Sequence, residues 1–326
     1  MSRYLVRRLV QTVLTLAIMS FVVFMLIGLM PGDPIDLMVS ADPNMNSEDA
    51  ARLRAAYGLD KPLMQRYATW ALEALQGNFG YSRSYGQSVI TVLWPRLLNT
   101  LLLAGSAFVL SVVIALPLGI WAAAHPRSRA DYLINLFCFA GISAPPFWLA
   151  LLLITLFAVK LGWLPAGGMA DVRPGTSWTA ALGQQLRHLA LPVLTLTMVS
   201  LASYTRFMRG AMIEVLRQDY IRTARAKGAS ARVVLGRHAF SNALAPVLTI
   251  LALSFGGLVS GALITETMFA WPGMGKAIYQ AILENDYNVA LFGLLIATAA
   301  TIAGNLLADL AYAWVDPRVS LAEGRA

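Results

Sequence analysis

The chain has 326 residues, of which 58% are apolar and only 13% charged, against about 25% charged in a soluble domain; with a mean hydropathy of +0.63, this composition argues against a water-soluble globule. The formal charge of +8 sits mostly in short segments beside apolar stretches, where basic residues fix membrane orientation, so nucleic acid is not an expected partner. The single cysteine, Cys138, lies inside an apolar stretch and offers neither a disulfide framework nor a thiol metal motif.

A bilayer core about 30 Å thick is crossed by about 20 apolar residues of helix. That window predicts an all-α membrane protein with six spans: Leu9–Leu29, Leu97–Ala124, Leu133–Val159, Leu189–Tyr204, Ala243–Thr265 and Val289–Trp314. The first follows Arg3, Arg7 and Arg8 and ends at Met30-Pro31-Gly32-Asp33-Pro34 instead of a small-residue cleavage site, so it reads as a retained span. Residues 30–96 form a hydrophilic external insert. Within it, Asn46-Ser47-Glu48-Asp49 starts a helix over Glu48–Tyr57 that stops at Gly58, and a second helix runs over Pro62–Leu75. Pro117, Pro145, Pro146, Pro192 and Pro246 fall inside later spans and are expected to kink them, because neighbouring helices can satisfy the freed backbone groups. One domain over 1–326 is the simplest division, with a five-helix core over 97–315 and a tail over 316–326.

Orientation follows from the basic residues. With the N-terminus inside, the inner segments hold fifteen of the 25 lysines and arginines, and six of the remainder lie in the long insert, which translocates largely regardless of charge. Both termini are then cytoplasmic. The inner loop over 206–242 carries eight basic residues against Glu214 and Asp219 alone. Its centre reads Gln218-Asp219-Tyr220-Ile221-Arg222-Thr223-Ala224-Arg225-Ala226-Lys227-Gly228-Ala229-Ser230. Good helix formers stopped by a glycine suited to a left-handed C-terminal position give a short helix and a sharp turn. Ser230 can then cap a second helix. A loop of this charge serves as a partner site or as a topological anchor against anionic lipid.

Other candidate chemistry is sparse. Glu266 at the outer end of the fifth span and Asp309 in the sixth are the ionisable groups nearest membrane depth, where an unpaired charge is costly. Together with Ser260 they are candidates for a substrate path, although serine also knits helices together. His125, His188 and His238 fall in separate segments, so neither a metal cluster nor a catalytic set is expected. Gly273-Met274-Gly275-Lys276-Ala277 lacks the leading glycine and the Ser/Thr of a phosphate-cradling loop. No cofactor is expected, and the chain is not expected to hydrolyse ATP by itself.

The Asp219 to Ser230 segment resembles the cytoplasmic coupling motif, the Glu-Ala-Ala loop, of ABC importer permeases, in the form used by the dipeptide, oligopeptide, glutathione and nickel group. Arg237-His238-Ala239, Asn242-Ala243 and Pro246 continue the likeness, with Phe240-Ser241 in place of the usual leucine-arginine. It extends over nearly the whole chain. It takes in Arg7-Arg8, Pro31-Gly32-Asp33-Pro34, Tyr57-Gly58-Leu59-Asp60-Lys61-Pro62, Gly77-Asn78-Phe79-Gly80 (with Asn78 for the usual aspartate), Trp163-Leu164-Pro165, Phe269-Ala270-Trp271-Pro272-Gly273-Met274-Gly275, Asp286-Tyr287 and Asp316-Pro317-Arg318.

The resemblance implies a type I importer permease in the bacterial inner membrane that moves peptides. It implies a second, similar permease subunit, two cytoplasmic ATPase subunits or domains, and a periplasmic or lipid-anchored binding protein as partners. The ATPase clefts would grip Tyr220, Arg222, Thr223, Ala224, Arg225, Ala226, Lys227, Gly228 and Ser230. The alternative, a secondary transporter or channel with no ATPase partner, wants ionisable pairs at the membrane midplane and internal inverted repeats, and the sequence displays neither.

Overall fold

The computed structural model describes residues 2–29, 46–56, 59–170, 177–256 and 262–315. In chain order the elements are α1 (Ser2–Gly28), α2 (Ser47–Ala56), α3 (Leu63–Leu75), strands β1 (Tyr81–Ser82) and β2 (Gln87–Ser88), α4 (Val89–Ala124), α5 (Arg129–Ser143), α6 (Pro146–Leu153) running into a π-helical stretch at Ile154–Lys160, α7 (Trp178–Leu216), α8 (Asp219–Ala226), α9 (Ala231–Val233), a second π-helical stretch at Val234–Phe240, α10 (Ser241–Gly256), α11 (Leu263–Met268), α12 (Met274–Leu283) and α13 (Tyr287–Val315).

Among the described residues, five helices are long and apolar enough to cross a membrane, and six candidates result if one bent pair counts as a single span. That pair, Arg129–Ser143 with Pro146–Lys160, bends by 105°. The sequence suggested a kink at Pro145-Pro146, and the structure has a break instead. Ala144 is extended (φ −78°, ψ 123°) ahead of Pro145, as the residue before a proline is forced to be, and α6 restarts with Pro146 in its first turn. Pro192 and Pro246, by contrast, lie inside continuous helices. The fourth predicted span is much longer than its apolar window, 39 residues in α7. The fifth starts earlier than expected, with the apolar segment running over Ala231–Ser254, so that most of the 206–242 loop is helical, with turns at 217–218 and 227–230.

The chain divides into two compact units, Met1–Leu98 with Gly273–Ala300 and Asn99–Pro272 with Thr301–Ala326; α4 and α13 have residues in both. In the first unit the two insert helices form close to where the sequence puts them. Asn46 accepts a hydrogen bond from the Asp49 N–H at 2.8 Å, a helix N-terminal cap, and Pro62 precedes α3; Tyr57 and Gly58 lie outside the described residues. Tyr67 of α3 packs edge-on against Phe21 and Phe24 of α1. A two-residue antiparallel hairpin, Tyr81 opposite Ser88 and Ser82 opposite Gln87, was not foreseen. The Asp286 carboxylate secures it, accepting from Ser82 Oγ at 2.6 Å and the Ser84 N–H at 3.1 Å. Asn78 takes over the acceptor role expected of an aspartate by receiving the Gly80 N–H at 3.1 Å.

The main core of the second unit gathers Ala115, Ala123, Leu201, Tyr204, Met208, Met212, Ile221, Val234, Ala239, Ala243, Val247 and Leu251. It joins α4, α7, α8 and the α9–α10 segment, and it is what positions the candidate site.

Candidate functional site

Helix α8 follows α7 after a turn at Arg217-Gln218, where the Gln218 N–H reaches back to the Val215 carbonyl at 3.0 Å. Among its eight residues, two of them alanines, Ile221 is the one large aliphatic side chain; it is 0% exposed and enters the core among Tyr204, Met208, Met212, Val234 and Ala239. Full burial of such a side chain contributes about 1.5–3 kcal/mol, enough to pin a helix too short to be stable alone. The opposite face is open. Tyr220, Arg222, Thr223, Arg225, Ala226, Lys227, Gly228 and Ser230 are exposed, while Ala224 is half-buried on the Ile221 side.

The C-terminus of α8 is closed as the sequence suggests. Gly228 has φ +83°, its N–H donates to the Arg225 carbonyl at 3.0 Å, and the Ala229 N–H donates to the Ala224 carbonyl at 3.1 Å. This pair of bonds around a left-handed glycine is the Schellman motif. Nothing lies within 4 Å of a Cβ built on Gly228, so the glycine is required by backbone conformation and not by crowding inside the chain. Ser230 departs from expectation: it stands at the N-terminus of α9 in extended conformation, but its hydroxyl makes no capping hydrogen bond. Its carbonyl instead accepts from the Val234 N–H at 2.9 Å.

The charges on the open face are weakly tied. Arg222 meets Asp219 at 3.2 Å with both side chains largely in solvent, a pair of the kind that contributes at most about 1 kcal/mol. The guanidinium is therefore available to an incoming carboxylate. Thr223 returns its hydroxyl to the Asp219 carbonyl at 3.0 Å. Partial burial pushes the Tyr220 hydroxyl above its ordinary pKa; a phenol is a neutral hydrogen-bond donor at physiological pH in either case. The arrangement is a rigid cationic peg with one apolar root. Sequence reasoning missed Ile221, although a lone large aliphatic among charged residues was the available signal.

The substrate-path candidates fare differently. Glu266 in α11 is 0% exposed and accepts from Thr100 Oγ1 at 2.6 Å, so its carboxylate lines no open path in this conformation. Phe269 and Trp271, further along, are enclosed as well. Trp271 is 0% exposed, its indole N–H donates to the Asn99 carbonyl at 3.0 Å, and Asn99 Nδ2 donates to the Pro272 carbonyl at 3.0 Å. The Gly168 N–H donates to the Phe269 carbonyl at 2.7 Å. A Cβ on Gly167 would collide with that carbonyl oxygen, so glycine is needed there for close approach. Ser260 lies outside the described residues, as does the side chain of Asp309. Among the described residues no group of three or more His, Cys, Asp or Glu is placed to hold a metal ion.

Residues 115–321 match the family described as the binding-protein-dependent transport system inner membrane component, and residues 1–104 match the N-terminal region of the same kind of component. The chain belongs to this family. It is similar to the oligopeptide transport system permease protein AppB of Bacillus subtilis, 37% identical with 98% of this chain and 99% of the relative covered. The di/tripeptide transport system permease protein DppB of Pseudomonas aeruginosa is 39% identical over the same shares. The glutathione transport system permease protein GsiC of Escherichia coli K12 is 36% identical, again with 98% and 99% covered. The chain is thus a multi-pass, inner-membrane translocating subunit of an ABC importer and not an enzyme, and family membership implies ATPase and substrate-binding partners.

Proposed function

We propose that this permease subunit imports peptides and that α8 is the element through which ATP hydrolysis on other subunits drives it. The observation that carries the reading is the construction of α8: an exposed cationic helix, rooted by Ile221 in the core of the second unit and ended by the Gly228 turn. A cleft on each of two cytoplasmic ATPase subunits or domains receives such a helix, with Tyr220, Arg222, Thr223, Arg225 and Lys227 facing the cleft, Ala226 and Gly228 allowing close backbone approach, Ser230 at its rim and Ala224 on the side turned to the permease core. A second homologous permease completes the pore, and a periplasmic or lipid-anchored binding protein delivers cargo. Peptide cargo is supported by relatives named for oligopeptides, di- and tripeptides and glutathione.

In this reading both termini and the 206–242 segment are cytoplasmic, and residues 30–96 face the periplasm. A reporter active only in the periplasm should work when fused near Gln76 and stay silent near Ser230; the reverse pattern would overturn the orientation. A photo-reactive residue at Thr223 should cross-link to the ATPase subunit in the assembled importer. Cross-linking to lipid alone would reduce the loop to a topological anchor.

A further inference from the structure

Ten residues before α8, helix α7 carries a second connection. Arg209 grips Asp131 with both arms of its guanidinium: Nε donates to Oδ1 at 2.6 Å and Nη2 to Oδ2 at 2.8 Å. Asp131 is 4% exposed and sits in the first turn of α5. Its remaining lone pairs are taken by the Arg127 N–H at 2.9 Å and Asn135 Nδ2 at 2.8 Å, while its own N–H donates to the capping hydroxyl of Ser128 at 3.1 Å. Arg127 adopts φ 64°, a left-handed conformation unusual for a non-glycine residue. The α4–α5 connection is therefore shaped around this carboxylate. Close by, the Arg206 guanidinium lies over the Phe139 ring at 5.1 Å, a further link between α7 and α5.

The same stretch of α7 faces two ways. Met208 and Met212, on either side of Arg209, are fully buried in the cluster that also holds Ile221 of α8. One side of these turns holds α8, and the other holds the start of α5, whose continuation is the bent α5–α6 pair. Apolar side chains would join two helices at least as stably as a buried ion pair does. A forked guanidinium–carboxylate pair adds direction, because it admits only one register and orientation between the helices.

We propose that Asp131 and Arg209 are positioning residues forming the fixed link through which a displacement of α8 is passed by way of α7 to the bent span α5–α6. The inference rests on the reading of α8 as the ATPase-docking helix. The pair makes no contact with nucleotide or cargo; it sets how much transport results from each ATP hydrolysed.

The experiment compares wild type, Asp131→Asn, Arg209→Lys and the double variant Asp131→Asn/Arg209→Gln in proteoliposomes of the whole importer with its binding protein. The probe is a labelled tripeptide mixture containing trialanine and glutathione, and the readout is the ratio of uptake to ATP hydrolysed. Each single variant is expected to keep hydrolysing ATP while the ratio falls roughly fivefold, the size expected for residues that modulate coupling without touching either ligand. The double variant leaves no buried charge uncompensated, so it should assemble at wild-type levels and still show the low ratio. A wild-type ratio in an assembled single variant, or its restoration in the double variant, would overturn the proposal and leave the pair as structural glue. Arg209→Lys, which keeps both charges but loses the fork, decides the question in the same way if the other variants fail to accumulate. Thr223 cross-linking to the ATPase, run on the same wild-type sample, separates the two ideas: its absence sinks the reading of α8, whereas its presence with unchanged ratios sinks only the link.

Discussion

Helix α8 and the Glu266–Trp271 segment both carry polar groups in an apolar chain, and they use them in opposite ways. In α8 the polar groups face outward, weakly paired, and a single large apolar side chain faces in. Around Glu266 the polar groups are enclosed and hydrogen-bonded at short distances, to Thr100 and to the backbone of Asn99, Pro272 and Gly168. Each buried polar group must be satisfied or it costs free energy, so the second region reads as an interlocked scaffold. The first can spend its donors on another molecule. Sequence pattern alone, which marks both as polar interruptions, does not separate them; accessibility does.

The comparison makes graded predictions. The largest loss should come from the scaffold. Trp271→Ala removes a fully buried indole and its bond to Asn99, costing about 3–5 kcal/mol, and should abolish recovery of folded protein from detergent extracts. Ile221→Ala should cost about 2–5 kcal/mol by emptying the root of α8; here the damage should be local, read as faster proteolysis of the 217–230 segment while the remaining helices stay resistant. Thr100→Val deprives Glu266 of a donor inside a buried site, at about 1–3 kcal/mol, seen as a lower melting temperature in detergent. The smallest stability effect belongs to Arg222→Ala, at most about 1 kcal/mol. Its melting curve should overlay wild type even though ATPase binding weakens. A large melting shift for Arg222→Ala, or none for Thr100→Val, would erase the distinction between the two regions.

Much of this was legible in the sequence because it depends on local chemistry. Gly228 had to be left-handed to end a helix of Arg, Ala and Lys, and Asn46 and Pro62 announce the two insert helices. What could not be read depends on direction and on distant partners. Hydropathy windows measure the length of an apolar run and say nothing of its path, so the 105° break beyond Ser143 was taken for a kink. The same windows placed the second span at Leu97, whereas α4 begins at Val89, because Pro95 and Arg96 interrupt the apolar run without interrupting the helix. Glu266 stands out in the sequence as an ionisable group near membrane depth, but its donor, Thr100, lies 166 residues away, and the hairpin at Tyr81–Ser88 is secured by Asp286 from the far end of the chain.

The central claim, that α8 transmits force from ATP hydrolysis on partner subunits, is tested most directly at Gly228. Its φ of +83° penalises a β-branched residue by at least about 1 kcal/mol, while the open space around it leaves the rest of the fold untouched. In proteoliposomes of the complete importer, Gly228→Val should insert normally and reduce peptide uptake at least ~10-fold, a change of about 1.4 kcal/mol in coupling. Stimulation of ATP hydrolysis by the loaded binding protein should be lost, or the ATPase subunits should dissociate. Wild-type uptake together with wild-type stimulation in an assembled Gly228→Val importer would contradict the claim.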